Sequence, residues 1–104
     1  MDKGAEAYRR FLAGEDNALE QVIDLYKDSL IFFLMQYVKG MDIAEELTED
    51  TFVALAVKRP LFRENAKFRT WLFTIARNKA LNYLHSAAFR RNVPIDEAEE
   101  VFLP

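Results

Sequence analysis

The chain has no cysteine and a single histidine, His85. The first absence rules out a disulfide framework and thiolate metal sites, and a lone imidazole is too few ligands for zinc. Three glycines and three prolines in 104 residues leave little turn material for a sheet, and there is no internal repeat, low-complexity tract or glycine-rich phosphate loop. Long apolar runs are missing too. None exceeds six residues, as at residues 30–35, far short of the roughly 20 residues that span a bilayer, and the first eleven residues hold no signal-peptide core. A soluble, cytoplasmic protein with no membrane partner is the expectation.

Catalytic chemistry is equally thinly provided. The carboxylates crowd into residues 42–50, but neither a second histidine nor a separate acidic cluster completes a metal site. Asn82, not a glutamate, stands three residues before His85, so the Glu-x-x-His pattern of di-iron bundles is absent. A lone histidine with scattered serines is no triad. No cofactor, metal or enzymatic activity is expected.

What the chain does have is 51% hydrophobic residues, enough for one core, arranged at helical spacing. Residues 5–13 read as a short helix with Ala5, Tyr8, Phe11 and Leu12 on one side and Gly14 as its stop. Residues 17–39, with Asp16 as cap and Gly40 at the end, read as a long amphipathic scaffold helix. Asp42 and Glu45 resemble a capping box for a third helix that must end before Pro60. A loop over residues 60–66 follows, and Asn65 or a neighbour is positioned to cap a fourth helix reaching about residue 89. The fold class is therefore all-α, three main helices plus a short N-terminal one. The domain is taken as residues 1–90, with residues 91–104 as the start of a linker of little fixed structure.

The net charge of −3 hides a segregation. Residues 58–91 hold nine basic side chains and one acidic, a balance of +8; the remaining five basic and sixteen acidic give −11. Such polarity suits partners of opposite sign. At the acidic pole, Asp42/Glu46, Glu45/Glu49 and Glu46/Asp50 are like-charge pairs at i,i+4, each costing a few tenths of a kcal/mol. Either a docking face for a basic protein or a solvated, helix-capping face accounts for them. At the basic pole, Phe62, Phe68, Trp71, Phe73 and Tyr83 are interleaved with Arg63, Lys67, Arg69, Arg77 and Lys79, beside Asn65, Asn78 and Asn82. Aromatic rings that stack bases beside cations that follow phosphates are the means of binding single-stranded nucleic acid. Trp71 fits core and base contact equally; Phe62, in the loop, is the better candidate for an exposed stacking residue.

Four segments in this order resemble region 2 of the extracytoplasmic-function sigma factors of bacterial RNA polymerase: DIAEELTEDTF over residues 42–52, KFR over 67–69, TWL over 70–72 and IARN over 75–78. The resemblance implies a helical bundle that docks on the clamp helices of the polymerase β′ subunit through Glu46, Leu47, Glu49 and Asp50, with Phe52 in the core. It implies that the loop and fourth helix open the promoter −10 element and read its non-template strand. Phe62, Arg63 and Asn65 would then form a pocket for a flipped base, faced by Asn78. Arg69, Arg77 and Lys79 would attract the backbone, with Lys67, Trp71 and Asn82 completing the surface. An anti-sigma factor is a possible further partner. The family's second domain, a helix-turn-helix that reads the −35 element, has no counterpart in these residues, so a first domain separated from a longer protein is expected ahead of a stand-alone one. A helical protein–protein adaptor or sigma-like regulator without DNA binding is the alternative.

Overall fold

The computed structural model describes residues 2–63 and 65–90, so the linker expected over residues 91–104 lies outside the described residues. Four helices account for most of them: α1 (Lys3–Leu12), α2 (Ala18–Leu34), α3 (Met41–Lys58) and α4 (Phe68–Arg90). The all-α expectation holds. Helices α2 and α4 each pack against the other three. Between them lies a core in which Val22, Leu30, Leu34, Leu55, Leu72 and Leu84 are fully buried, each worth about 2 kcal/mol of apolar burial.

The end of α1 follows from its sequence. Gly14 adopts φ 113, and the two bonds of a Schellman turn form there: Gly14 N–H donates to the Phe11 carbonyl at 3.1 Å and Glu15 N–H to the Arg10 carbonyl at 3.0 Å. Two buried threonines of α3 are also locally satisfied, since the Thr48 and Thr51 hydroxyls each donate to the carbonyl four residues back at 2.8 Å.

Other boundaries depart from the sequence expectation. Helix α2 stops at Leu34, five residues early. Beyond it the Gln36 and Tyr37 N–H groups bond to carbonyls three residues back, a tighter turn that carries Tyr37 and Val38 into the core. Gly40 at φ 97 then reverses the chain. Asp16 does not cap α2; the N-cap is Asn17, with no side-chain bond. Nor do Asp42 and Glu45 form a capping box, because α3 begins one residue sooner, behind Gly40, and Asp42 is left to complement the helix dipole in the first turn.

The cap of α4 is the largest correction. Asn65 is exposed in the loop, and the cap is supplied by Asp2, whose Oδ2 accepts from the Phe68 N–H at 3.2 Å. The other oxygen of the same carboxylate, Oδ1, accepts from Gly4 and Ala5 at the start of α1, at 3.1 and 3.2 Å. One aspartate thus satisfies the N-termini of two helices and ties them together. The corner is tight enough to need Gly4. A Cβ there would fall 2.5 Å from the Tyr26 hydroxyl and 2.8 Å from the Phe68 ring.

Gly4→Ala should therefore destabilise the fold by about 1–3 kcal/mol through overpacking, outweighing the ~1 kcal/mol helix-propensity gain of alanine. Urea unfolding checks this: a midpoint unchanged or raised would show that the corner has room.

Candidate nucleic-acid interface

The loop from α3 to α4 begins at Arg59, which cannot continue the helix because Pro60 follows. Arg59 turns left-handed, at φ 46 and ψ 53. The turn sends its guanidinium back over α1, 4.4 Å from the Phe11 ring centroid. There it donates to the Phe11 carbonyl at 3.5 Å and pairs with Asp16 at 3.4 Å. A cation over the carbonyl end of α1 is favourably placed against the helix dipole. One residue on, the Pro60 carbonyl accepts the hydroxyl of Tyr8. With the Asp2 bond at Phe68, both ends of the loop are fastened to the N-terminal part of the chain.

Between these fastenings the loop lays Phe62 on an aromatic cluster. Its ring stands edge-on to Phe68, centroids 5.3 Å apart and planes at 84°, and lies 5.3 Å from Trp71. Tyr8 completes the cluster at 5.6 Å from Phe68 and 5.4 Å from Trp71. Phe62 and Trp71 are therefore half-buried with one side open, whereas the loop position alone suggests a freely exposed Phe62. The difference comes from Tyr8, distant in sequence, which packs against Phe68 and Trp71, the two rings that Phe62 rests on. Burial pushes the Tyr8 phenol up to about 12, against the lowering influence of Arg59. Tyr26 is also raised, by burial first and Asp2 second, with Arg69 opposing.

Of the other candidate residues, Arg63, Asn65 and Lys67 are exposed, as are Arg69, Arg77, Asn78 and Asn82; Lys79 is half-buried. Helical geometry divides those on α4. Trp71 and Asn78 share one side, two turns or about 10.5 Å apart along the axis. Arg69, Phe73 and Arg77 occupy another, with the Arg69 guanidinium 4.2 Å from the Phe73 centroid. Lys79 and Asn82 border a cleft between α3 and α4 together with Glu46, Leu47 and Asp50. The residues grouped by sequence as one basic surface thus form three patches.

On α3, Glu46, Glu49 and Asp50 are exposed. Leu47, at 6% exposure, belongs to the core and lines the cleft between α3 and α4. Phe52 is buried as expected. Two exposed valines escape the sequence reading, Val53 at 56% and Val57 at 74%. Their signal is present in the chain, since they continue the Glu49 row at i+4 and i+8. The exposed strip of α3 is acidic in its first half and apolar in its second. Among the described residues no group of three or more His, Asp or Glu converges in a way that could hold a metal ion, and no helix is long and apolar enough to cross a membrane.

Tyr8→Phe should free the loop while keeping the ring, leaving the Pro60 carbonyl without its donor at a cost of about 1–2 kcal/mol. Because the folded-state pKa of Tyr8 is raised from 10.0 to about 12, its contribution is fully present below pH 10 and is lost as pH rises through 12. Thermal unfolding from pH 8 to 12 should show stability falling more steeply in the wild type than in Tyr8→Phe; parallel profiles would refute the coupling.

Comparison with known sequences agrees with this architecture. The family profile "Sigma-70 region 2" matches residues 22–90, spanning α2 to α4. The chain is 33% identical over 93 residues to the ECF RNA polymerase sigma factor BldN of Streptomyces coelicolor, covering 88% of this chain and 35% of that protein. It is 29% identical over 69 residues to the ECF RNA polymerase sigma factor SigW of Bacillus subtilis, covering 66% and 37% respectively. To the ECF RNA polymerase sigma-E factor of Haemophilus influenzae it is 31% identical over 75 residues, covering 72% and 39%. The chain spans well under half the length of each of these relatives. No solved structure gives a significant match. With residues 22–90, about two thirds of the chain, matched by the family profile, the chain belongs to the sigma-70 region 2 family.

Proposed function

We propose that this domain, which as a sigma-factor domain is not an enzyme, docks on core RNA polymerase and captures unpaired bases of the promoter −10 element on the non-template strand. Residues 1–90 would be the working unit, acting in the cytoplasm. The observation that carries the reading is the loop: fastened at both ends, it packs the half-buried Phe62 against Trp71 and exposes Arg63, Asn65 and Lys67 in the same segment, with Asn78 two turns along α4 from Trp71. A partly open aromatic ring beside cations and an amide is suited to an unpaired base. No bond is made or broken. Extruding a paired base costs a few kcal/mol, which stacking and hydrogen bonds in a preformed pocket must offset. Phe62 already packs on Phe68 and Trp71, so little of its side-chain entropy would be lost when a base stacks on it.

The exposed strip of α3 serves the docking half of the proposal. Glu46, Glu49 and Asp50 would steer and orient a basic helical partner, the clamp helices of β′, and Val53 and Val57 would add apolar contact. Glu49→Lys should weaken core-polymerase binding while leaving folding nearly unchanged, since Glu49 is exposed. An unaltered affinity in a pull-down titration would place the docking surface elsewhere.

The DNA half is tested by titrating single-stranded −10-like oligonucleotides into the domain assembled with core polymerase. Loss of one stacking base costs about 1–3 kcal/mol, so Phe62→Ala should weaken binding roughly 5- to 150-fold, with Asn78→Ala as a second probe of the site. Affinity should fall steeply with salt, with a log–log slope of about −0.7 per phosphate neutralised. Salt-insensitive or absent binding would instead favour an adaptor that uses α3 alone.

A further inference from the structure

Helices α2 and α4 leave two adjoining clefts that share Phe33, Arg69 and Phe73. The floor is a ring pair, Phe33 on Phe73, with centroids 4.9 Å apart, and the Arg69 guanidinium lies over Phe73 at 4.2 Å. Arg77, one turn beyond Phe73, edges the second cleft. Phe32 stands at the margin of the first with 73% of its surface exposed, and Met35, three residues on, is exposed as well. Among the described residues neither Arg69 nor Arg77 is in an ion pair. Asp28 is the one acidic residue lining the first cleft, and none lines the second. The groove therefore offers two unneutralised cations beside an apolar margin that nothing in the described residues covers.

We propose that the groove is a docking site for a segment of the same chain, residues 96–103, which folds back along α4 in the free protein and covers Arg69 and Arg77. The segment reads DEAEEVFL: the carboxylates of Asp96, Glu97, Glu99 and Glu100, then Val101, Phe102 and Leu103. Its chemistry complements the groove, acids for the two arginines and apolar side chains for Phe32 and Phe73. Reach sets the register. From Arg90, where α4 ends, back to Arg77 is about 20 Å along the helix axis, and back to Arg69 about 32 Å. An extended chain advances ~3.3 Å per residue, so Asp96 comes level with Arg77 after about 20 Å and Glu100 with Arg69 after about 33 Å. The long arginine and glutamate side chains supply the slack for the reversal itself. Val101, Phe102 and Leu103 then fall beside Phe32 and Asp28, where uncharged side chains meet no repulsion. Other faces fit the segment less well. Lys79 borders a cleft that also carries Glu46 and Asp50, and these repel an acidic chain. Tethering favours the segment over a separate acidic partner, because a short linker holds it beside the groove at an effective concentration on the order of millimolar. While it is seated, a polyanion reaches Arg69 and Arg77 only by displacing it. The contact itself requires no nucleic acid and stands apart from the strand reading above.

Because the chain lacks cysteine, a single Pro104→Cys can carry a nitroxide label whose broadening of backbone amide signals is read by NMR in the 104-residue chain. At low salt the amides of Phe32, Arg69 and Phe73 should be attenuated at least threefold more than those of Glu49 and Val53 on α3. The difference should shrink near 1 M salt, where the screening length is about 3 Å. In the labelled chain, Arg77→Glu and Asp96→Lys should each reduce the selective attenuation at least twofold, and the two together should restore it. Phe32→Ala should reduce it as well. Arg77 and Phe32 are exposed, so these variants are expected to fold, and circular dichroism controls for that. Equal attenuation of α3 and the groove, attenuation confined to the last turns of α4, or a double variant no better than its singles would overturn the proposal. If the same amides broaden when label and isotope are carried on different molecules, a second copy supplies the segment and the intramolecular assignment is overturned.

Discussion

The contact on which the candidate interface depends is the one between the buried Tyr8 and the loop. Its ring is fully enclosed and forms the base of the cluster on which Phe68, Trp71 and, through them, Phe62 are placed. Its hydroxyl holds the Pro60 carbonyl at the point where the chain leaves α3. A loop is ordinarily the most mobile part of a small helical domain. This one is restrained by a hydrogen bond, a stacked arginine and a shared aspartate cap, all reaching into α1. The shortest helix therefore decides the geometry of the longest one's working face, although the family profile begins only at residue 22.

A similar division governs the charges. Asp2, Asp16 and Arg59 hold α1, the loop and α4 in register, while Arg63, Lys67 and Arg77 remain exposed. Polar groups with a structural task are short-range and satisfied; those on the working faces project into solvent, where their long-range field costs little to maintain. On α3 the exposed Glu46, Glu49 and Asp50 share one strip with Glu45, where like charges at i,i+4 weaken the helix by a few tenths of a kcal/mol per pair.

Much of this architecture is legible in the residues alone. The number and order of helices follow from apolar spacing, the stop at Gly14 from the left-handed preference of glycine, and the end of α3 from Pro60. The early end of α2 is not legible, because Tyr37 and Val38 continue the helical pattern and only the core they enter pulls the chain into a tighter turn. The cap of α4 is illegible for a related reason. Asn65 has the right chemistry and the right distance along the chain, but Asp2 arrives from the other end of the domain.

By itself the sequence determined the class of the fold, the separation of an acidic from a basic pole and the residue types available to each, because those depend on composition and on periods of three to four residues. Tertiary packing decided which side chains act together. It placed Leu47 in the core, set Phe62 on Trp71, divided Arg69 and Arg77 from Lys79 on α4 and brought Phe32 and Phe33 of α2 beside Arg69 and Phe73. Such neighbours are far apart along the chain, and no local periodicity encodes them. They exist only once α1 has closed over the loop and α2 has packed against α4.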